Sequence, residues 1–162
     1  MITLGLLILC IAIVLALFGK TGAFTWLAAL ASLPLLFANG VILIGYDLSQ
    51  ILNLKGFPVI SPGYISAFFG LIFSLGFPLG LIYGHHYLKA HPGKGLASHQ
   101  VWLGLMMLSM QILILVQNIL HFLIAWEIMS LSSFFAIMND RENAQTVSAA
   151  LYYFVMMHIG AA

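Results

Sequence analysis

The sequence predicts an all-α protein, a polytopic bundle of about six transmembrane helices, and three observations carry that prediction. Hydrophobic residues fill 63% of the 162 positions and charged residues only 6%, against roughly 45–50% and about 25% in soluble domains. The apolar residues form continuous runs near the ~20 residues that cross a bilayer, not the alternating pattern of a membrane β-barrel. Short polar segments containing Gly or Pro separate the runs. With no repeat, low-complexity stretch or linker, residues 1–162 read as a single transmembrane domain.

The first run covers about 2–18 and ends at the turn signal "GKTG". It lacks the basic start and small-x-small cleavage site of a secretory leader, so it reads as a retained helix. The second covers about 24–45, with Pro34 inside it as a kink position. A polar loop with Gly and Pro follows over 46–63. The third helix is expected over 64–84 and a second loop over 85–99. The fourth runs from about 100 to 117 and the fifth from about 119 to 138. As one helix, 100–138 would be about 58 Å long, nearly twice the hydrocarbon thickness, so a tight turn near Asn118 is expected. A loop over 139–146 precedes the sixth run, 147–162, which stops while still apolar and reads as interrupted.

Lys and Arg in short loops set orientation. With the N-terminus outside, Lys20, Lys89, Lys94 and Arg141 fall on the inner side and Lys55 on the outer. The expectation is therefore N-terminus out, with 85–99 and 139–146 in the cytoplasm. The third helix carries two rows of small residues at spacing four, Ser66/Gly70/Ser74 and Gly76/Gly80/Gly84. Such rows let helix backbones approach closely in lipid, so they predict a packing seam.

Several function classes drop out. No basic tract suggests nucleic acid. The one cysteine, Cys10, allows neither an internal disulfide nor a CxxC site. Phosphate-loop, dinucleotide and nucleophile-elbow motifs are absent. His85, His86, His91 and His99 follow no zinc spacing, and they offer a haem only interfacial helix ends. No cofactor is expected in this chain.

The residue that asks for an explanation is Glu127, in the apolar stretch "HFLIAWEIMSLSSFF" at 121–135. It falls close to the midplane of the fifth helix, where a charge costs at least about 2.5–3.5 kcal/mol. A carboxyl there lines a polar path, pairs with another group, or carries a proton after desolvation raises its pKa. A protonated Glu that merely bonds a neighbouring helix is the plainer reading. His158 lies at a similar depth in the sixth run; it suits a relay near neutral pH or, as plainly, a buried neutral imidazole bonded to a carbonyl. Gln111 is the most embedded amide of the fourth helix and a third candidate for a proton path. Gln117, Asn118 and His121 read as a polar helix end.

Two motifs, "WEIMSLSSF" at 126–134 and "LYYFVMMHIGAA" at 151–162, together resemble a known family. It is the antiporter-like membrane subunits shared by respiratory complex I, Mrp sodium/proton antiporters and membrane-bound hydrogenases. The wording is most similar to the branch of hydrogenase-4 component B and the formate hydrogenlyase membrane subunit. The resemblance implies that Glu127 matches the fifth-helix glutamate central to proton translocation in that family. It also implies a cytoplasmic-membrane location in a bacterium or archaeon. Further membrane subunits are implied, with a peripheral redox arm whose iron-sulfur clusters, and a nickel-iron or other redox centre, supply the free energy. The family pairs the glutamate with a seventh-helix lysine and continues to about fourteen helices, so this chain resembles only its N-terminal third. At 61–69, "SPGYISAFF" lacks the aspartate the family often carries there. The chain therefore reads as a fragment, a split subunit or a degenerate scaffold; no lysine lies inside a predicted span, which leaves His158 as the intrachain partner, and in a split subunit another membrane subunit supplies the lysine. The expected function is a proton-translocating subunit of a redox-driven complex acting through a buried Glu. A structural adapter and an Mrp-type sodium/proton antiporter subunit stand as alternatives.

Overall fold

A computed structural model describes residues 2–45, 63–90, 95–139 and 143–161. All the regular structure there is helical: α1 Ile2–Leu17, α2 Thr21–Leu43, α3 Tyr64–Ala90, α4 Leu96–Leu113, α5 Ile119–Ile137 and α6 Ala144–Ala161. Four of these, α2 to α5, are long and apolar enough to cross a membrane. The 16 residues of α1 are apolar but span only about 24 Å. The expected all-α membrane bundle is borne out. Lys55, His91, Lys94, Arg141 and most of the 46–63 loop lie outside the described residues, so the orientation expected from them is not read from the structure.

Local chemistry sets the helix ends. α1 stops at Gly19, whose φ of +76° needs a residue without a Cβ. Gly19 N–H then bonds Ala16 O at 2.9 Å and Lys20 N–H bonds Leu15 O at 3.0 Å, the paired closure of a Schellman motif. The expected turn at Asn118 is present. Its extended backbone lets the side chain accept from Leu120 N–H at 2.8 Å, which caps α5. Asn143 does the same for Gln145 N–H at 3.0 Å at the start of α6.

Several boundaries move from their expected places. α2 starts one turn before 24, α4 runs 96–113 instead of 100–117, and α6 starts at 144. The largest correction is α3, which continues through His85 and His86 to Ala90. Nothing in 85–90 breaks a helix: none of these residues is Pro and the only glycine nearby, Gly84, is already inside it. The polarity of those residues marks a membrane interface, not a helix end. Pro34 and Pro78 both sit inside continuous helices.

α1 to α4 form one packed group. α2 lies against α1 and α3; α4 lies against α1 and α3 and only sparsely against α2. One apolar core joins Leu9 and Ile13 of α1, Phe24 and Ala28 of α2, Leu81 of α3 and Met107 of α4. A second, toward the other end, joins Ile2, Leu35, Ala38, Ile42, Ala67 and Leu115. Small residues bring the backbones together: a Cβ at Gly104 would lie 2.8 Å from Ile13 Cγ1 and 3.0 Å from Phe24 Cε2. At Gly70 it would meet the Asn39 amide at 2.6 Å. The other glycine row differs from expectation. A Cβ at Gly76, Gly80 or Gly84 would meet nothing within 4 Å, so that row faces away from the described helices and forms no seam with them.

α5 and α6 stand apart from this group. Among the described helices α5 packs on α4 and α6, and α6 on α5 alone. The α4–α5 contact uses the buried Ala125 and Ser132 of α5, and the Trp102 and Phe135 rings stack at 4.5 Å. In α6 only Ala150 is buried among the described residues. Hydroxyls in the middle of the helices bond their own backbone: Ser74 to Gly70 O and Ser132 to Ile128 O, both at 2.6 Å. Without water in the hydrocarbon region, such back-bonding satisfies each donor locally.

Gly104→Leu should destabilise the fold by about 1–3 kcal/mol, the usual effect of forcing methylenes into a packed core. Gly80→Ala should be neutral or stabilise by up to about 1 kcal/mol through helix propensity. Thermal unfolding of both variants in detergent micelles checks the pair of expectations, and equal effects would contradict the packing described.

Candidate functional site

Glu127 and His158 come together across the α5–α6 contact: His158 Nε2 lies 3.1 Å from Glu127 Oε2. Helix geometry explains how. Glu127 is ten residues before the end of α5, about 15 Å from the α5–α6 turn, and His158 is 14 residues after the start of α6, about 21 Å from it. Helical side chains lean toward their own N-terminus. On these antiparallel helices the Glu127 side chain therefore leans away from the turn and that of His158 toward it, and the two converge.

The rest of the contact holds this geometry. His158 Nδ1 lies 2.8 Å from Phe154 O, one turn back on α6. The Phe154 and His158 rings are 4.1 Å apart, and Phe134 of α5 packs on Phe154 at 5.1 Å. One rung nearer the turn, the Ser133 and Tyr153 hydroxyls are 2.8 Å apart. Ser133 Oγ donates to Ser130 O at 2.9 Å, so the Tyr153 hydroxyl donates to Ser133.

These partners fix the protons. A carbonyl accepts only, so His158 Nδ1 carries a hydrogen. The Nε2···Oε2 contact then holds one further proton. On the imidazole it makes an imidazolium–carboxylate pair; on the carboxyl it makes a neutral pair, with the O–H donating to bare Nε2. Both states have the same heavy-atom positions. A proton can cross the contact without either helix moving, which is what general acid–base chemistry and proton relays require.

Glu127 is not buried by this chain: its side chain is 50% exposed, and that of His158 34%. The described helices leave this side of α5 open: Ala125 and Ser132 face α4, and Glu127 lies with Ser130 and Phe134 on the side turned to α6, whose contact is thin.

Gln111 is elsewhere. It is 1% exposed, on the α4 face that also carries Gly104 and Met107 and packs toward α1 and α2. Its Nε2 has no hydrogen-bond partner, and no hydrogen bond joins it to Glu127 or His158 among the described residues. An open apolar groove of about 200 Å³ lies between α4 and α5, lined by Leu105, Leu108, Ile124 and Ile128 with His121 at its edge. Among the described residues no group of three or more His, Cys, Asp and Glu is placed to hold a metal.

Sequence reasoning missed Ser133, Tyr153 and the Phe154 carbonyl. The serine run 130–133 and the doubled tyrosine at 152–153 were visible, but nothing in one sequence pairs them across helices.

The chain is similar to hydrogenase-4 component B of Escherichia coli (strain K12), 31% identical over 96 residues, or 59% of this chain. The resemblance read from the two motifs is borne out. The matched stretch spans only 14% of that relative's length. No family model matches the chain, and no solved structure matches it.

Gln111→Met should stabilise the fold by about 1–3 kcal/mol, because it removes an unpaired buried donor while keeping the volume. A lower melting temperature in this variant would show that Nε2 has a partner that the substitution breaks.

Proposed function

We propose that this chain is a membrane subunit of a hydrogenase-type, redox-driven complex and that it takes part in proton translocation through Glu127 and His158. The observation that carries the reading is the contact between the two side chains at matched depth in apolar helices, in a geometry that accepts a proton on either partner. Similarity to hydrogenase-4 component B supports the kind of complex. In this reading electron transfer takes place on iron-sulfur clusters and a nickel-iron or other redox centre in partner subunits. This chain contributes the proton-carrying pair.

The half-exposed Glu127 and the thinly packed α6 support a further element of the proposal. An ionisable group at membrane depth that faces neither water nor a counter-charge is costly. Another membrane segment, bearing a lysine, completes the site against the open flank of α5 and α6. A cation there would draw the shared proton from Glu127, and its movement away would return it. Gln111 is not placed on this route, since it faces the opposite side of α4.

A structural adapter is the second reading, favoured by the open Gly76/Gly80/Gly84 row, where a partner helix can approach the α3 backbone closely. An Mrp-type sodium/proton exchanger, the third, predicts sodium-dependent exchange in vesicles with no electron donor.

The test is ion translocation by the assembled complex in inverted membrane vesicles. Glu127→Gln, and separately His158→Leu, should abolish acidification driven by the electron donor while subunit stoichiometry stays intact. The double variant should be no worse than either single one, because the two groups act on one proton. Full pumping by Glu127→Gln sinks the proposal. Normal pumping in that variant together with loss of assembly in Gly80→Leu would establish the adapter.

A further inference from the structure

At the end of the bundle that carries the α1–α2 turn, three helices meet in a second polar cluster that the proposed site does not use. Gln100, at the start of α4, is 2% exposed, and Thr25 of α2 is 4% exposed. Gln100 Nε2 donates to Thr25 Oγ1 at 2.9 Å and lies 3.0 Å from His85 Nδ1 of α3. Thr25 donates its own hydrogen to Thr21 O at 3.0 Å. Gln100 Oε1 is buried without a partner. α2 and α4 otherwise touch only sparsely, so this cluster is a main tie between them.

Counting hydrogens fixes the state of the imidazole. An amide NH₂ has two N–H donors and no acceptor. One hydrogen goes to Thr25 Oγ1, which is free to accept because its own hydrogen points at Thr21. The other goes to His85 Nδ1, which must therefore be bare. His85 is the neutral tautomer with its hydrogen on Nε2.

Protonation of Nδ1 would set an N–H against the amide N–H. The cluster offers one escape: rotation of the Gln100 amide by a half turn brings the unpartnered Oε1 to face Nδ1–H. That rotation takes the amide hydrogen away from Thr25, whose hydroxyl must leave Thr21 O to bond Oε1 in its place. The Thr25–Gln100 and His85–Gln100 bonds then persist with reversed polarity, but Thr21 O loses its donor and the amide NH₂ turns into the buried place where Oε1 had no partner among the described residues, so a single proton weakens the cluster.

We propose that Thr25, His85 and Gln100 form a proton-operated latch, which holds the ends of α2, α3 and α4 together while His85 is neutral and loosens them when Nδ1 is protonated. The charges around it bias the latch toward the closed state. His86 and Lys89 act on His85 from its own helix, Lys20 stands just before α2, and the His99 ring of α4 turns to the Ala136 backbone of α5. α2, α3 and α4 carry no Asp or Glu to hold an imidazolium. The latch is separate from the Glu127–His158 pair, because α4 lies between this cluster and α5, and α6 reaches only α5.

The full chain in lipid nanodiscs with ¹⁵N-labelled histidine tests this without any variant that must fold. At about pH 8, above the ordinary histidine titration, the His85 signal should show bare Nδ1 and protonated Nε2. A signal from the Nδ1–H tautomer overturns the proposal. Amide hydrogen exchange gives the second readout, corrected for its intrinsic pH dependence. Between about pH 8 and about pH 5, residues 99–103, the first amides of α4 with helical hydrogen bonds, should lose about tenfold protection, the change that one pKa unit of differential proton affinity produces. His85→Asn keeps an acceptor near Nδ1 but does not titrate, so its protection should hold across that range. Equal loss in the variant would place the titrating group elsewhere and overturn the latch. Neither readout depends on ion translocation, so failure of the latch and failure of the proposed function are distinguishable.

Discussion

The seating of α4 on α1 and α2 is the contact on which the rest of the molecule depends. At Gly104 the α4 backbone comes so close to Ile13 and Phe24 that a single added carbon would overlap them. In lipid there is little hydrophobic gain from bringing helices together, so close backbone approach and dispersion supply the attraction. Among the described helices everything beyond α4 is reached through it: α5 joins α4 to α6, and α6 touches only α5. The Glu127–His158 pair is therefore the far end of a chain of contacts that begins with a glycine on a different helix face.

That serial arrangement accounts for the uneven burial. α1 to α4 enclose two apolar cores, with side chains such as Leu9, Phe24, Leu35 and Met107 wholly removed from the surface. α5 and α6 enclose almost nothing. Their contact is held by directional bonds and ring contacts between Ser133 and Tyr153, Phe134 and Phe154, and Glu127 and His158. A thin contact of this kind can tolerate a moving charge where a dense core cannot, because fewer packed neighbours must respond to it.

Much of the fold was legible in the sequence. About six helices were expected and six are present among the described residues, because runs of ~20 apolar residues have few alternatives in a bilayer. The turn at Asn118 was legible because an Asn before an apolar run is an N-cap signal. The end of α3 was not. His85 and His86 were polar enough to suggest a loop, yet a helix can carry polar residues through the interface where none of them breaks it. The small-residue rows were legible as rows but not as contacts, since Gly70 meets Asn39 while Gly80 meets nothing among the described residues.

The sequence by itself determined the class of protein, the number of helices and the oddity of Glu127, since composition and run length answer directly to the membrane. It also placed Glu127 and His158 at similar depth, because depth along a helix is a count of residues. Only the tertiary structure decided that they touch, that Gln111 faces another way, and that Glu127 is left half open. Those facts depend on the rotation of each helix about its axis. In a helix apolar all round that rotation is set by which small residues on neighbouring helices make room, and one chain read alone does not encode it as a pattern.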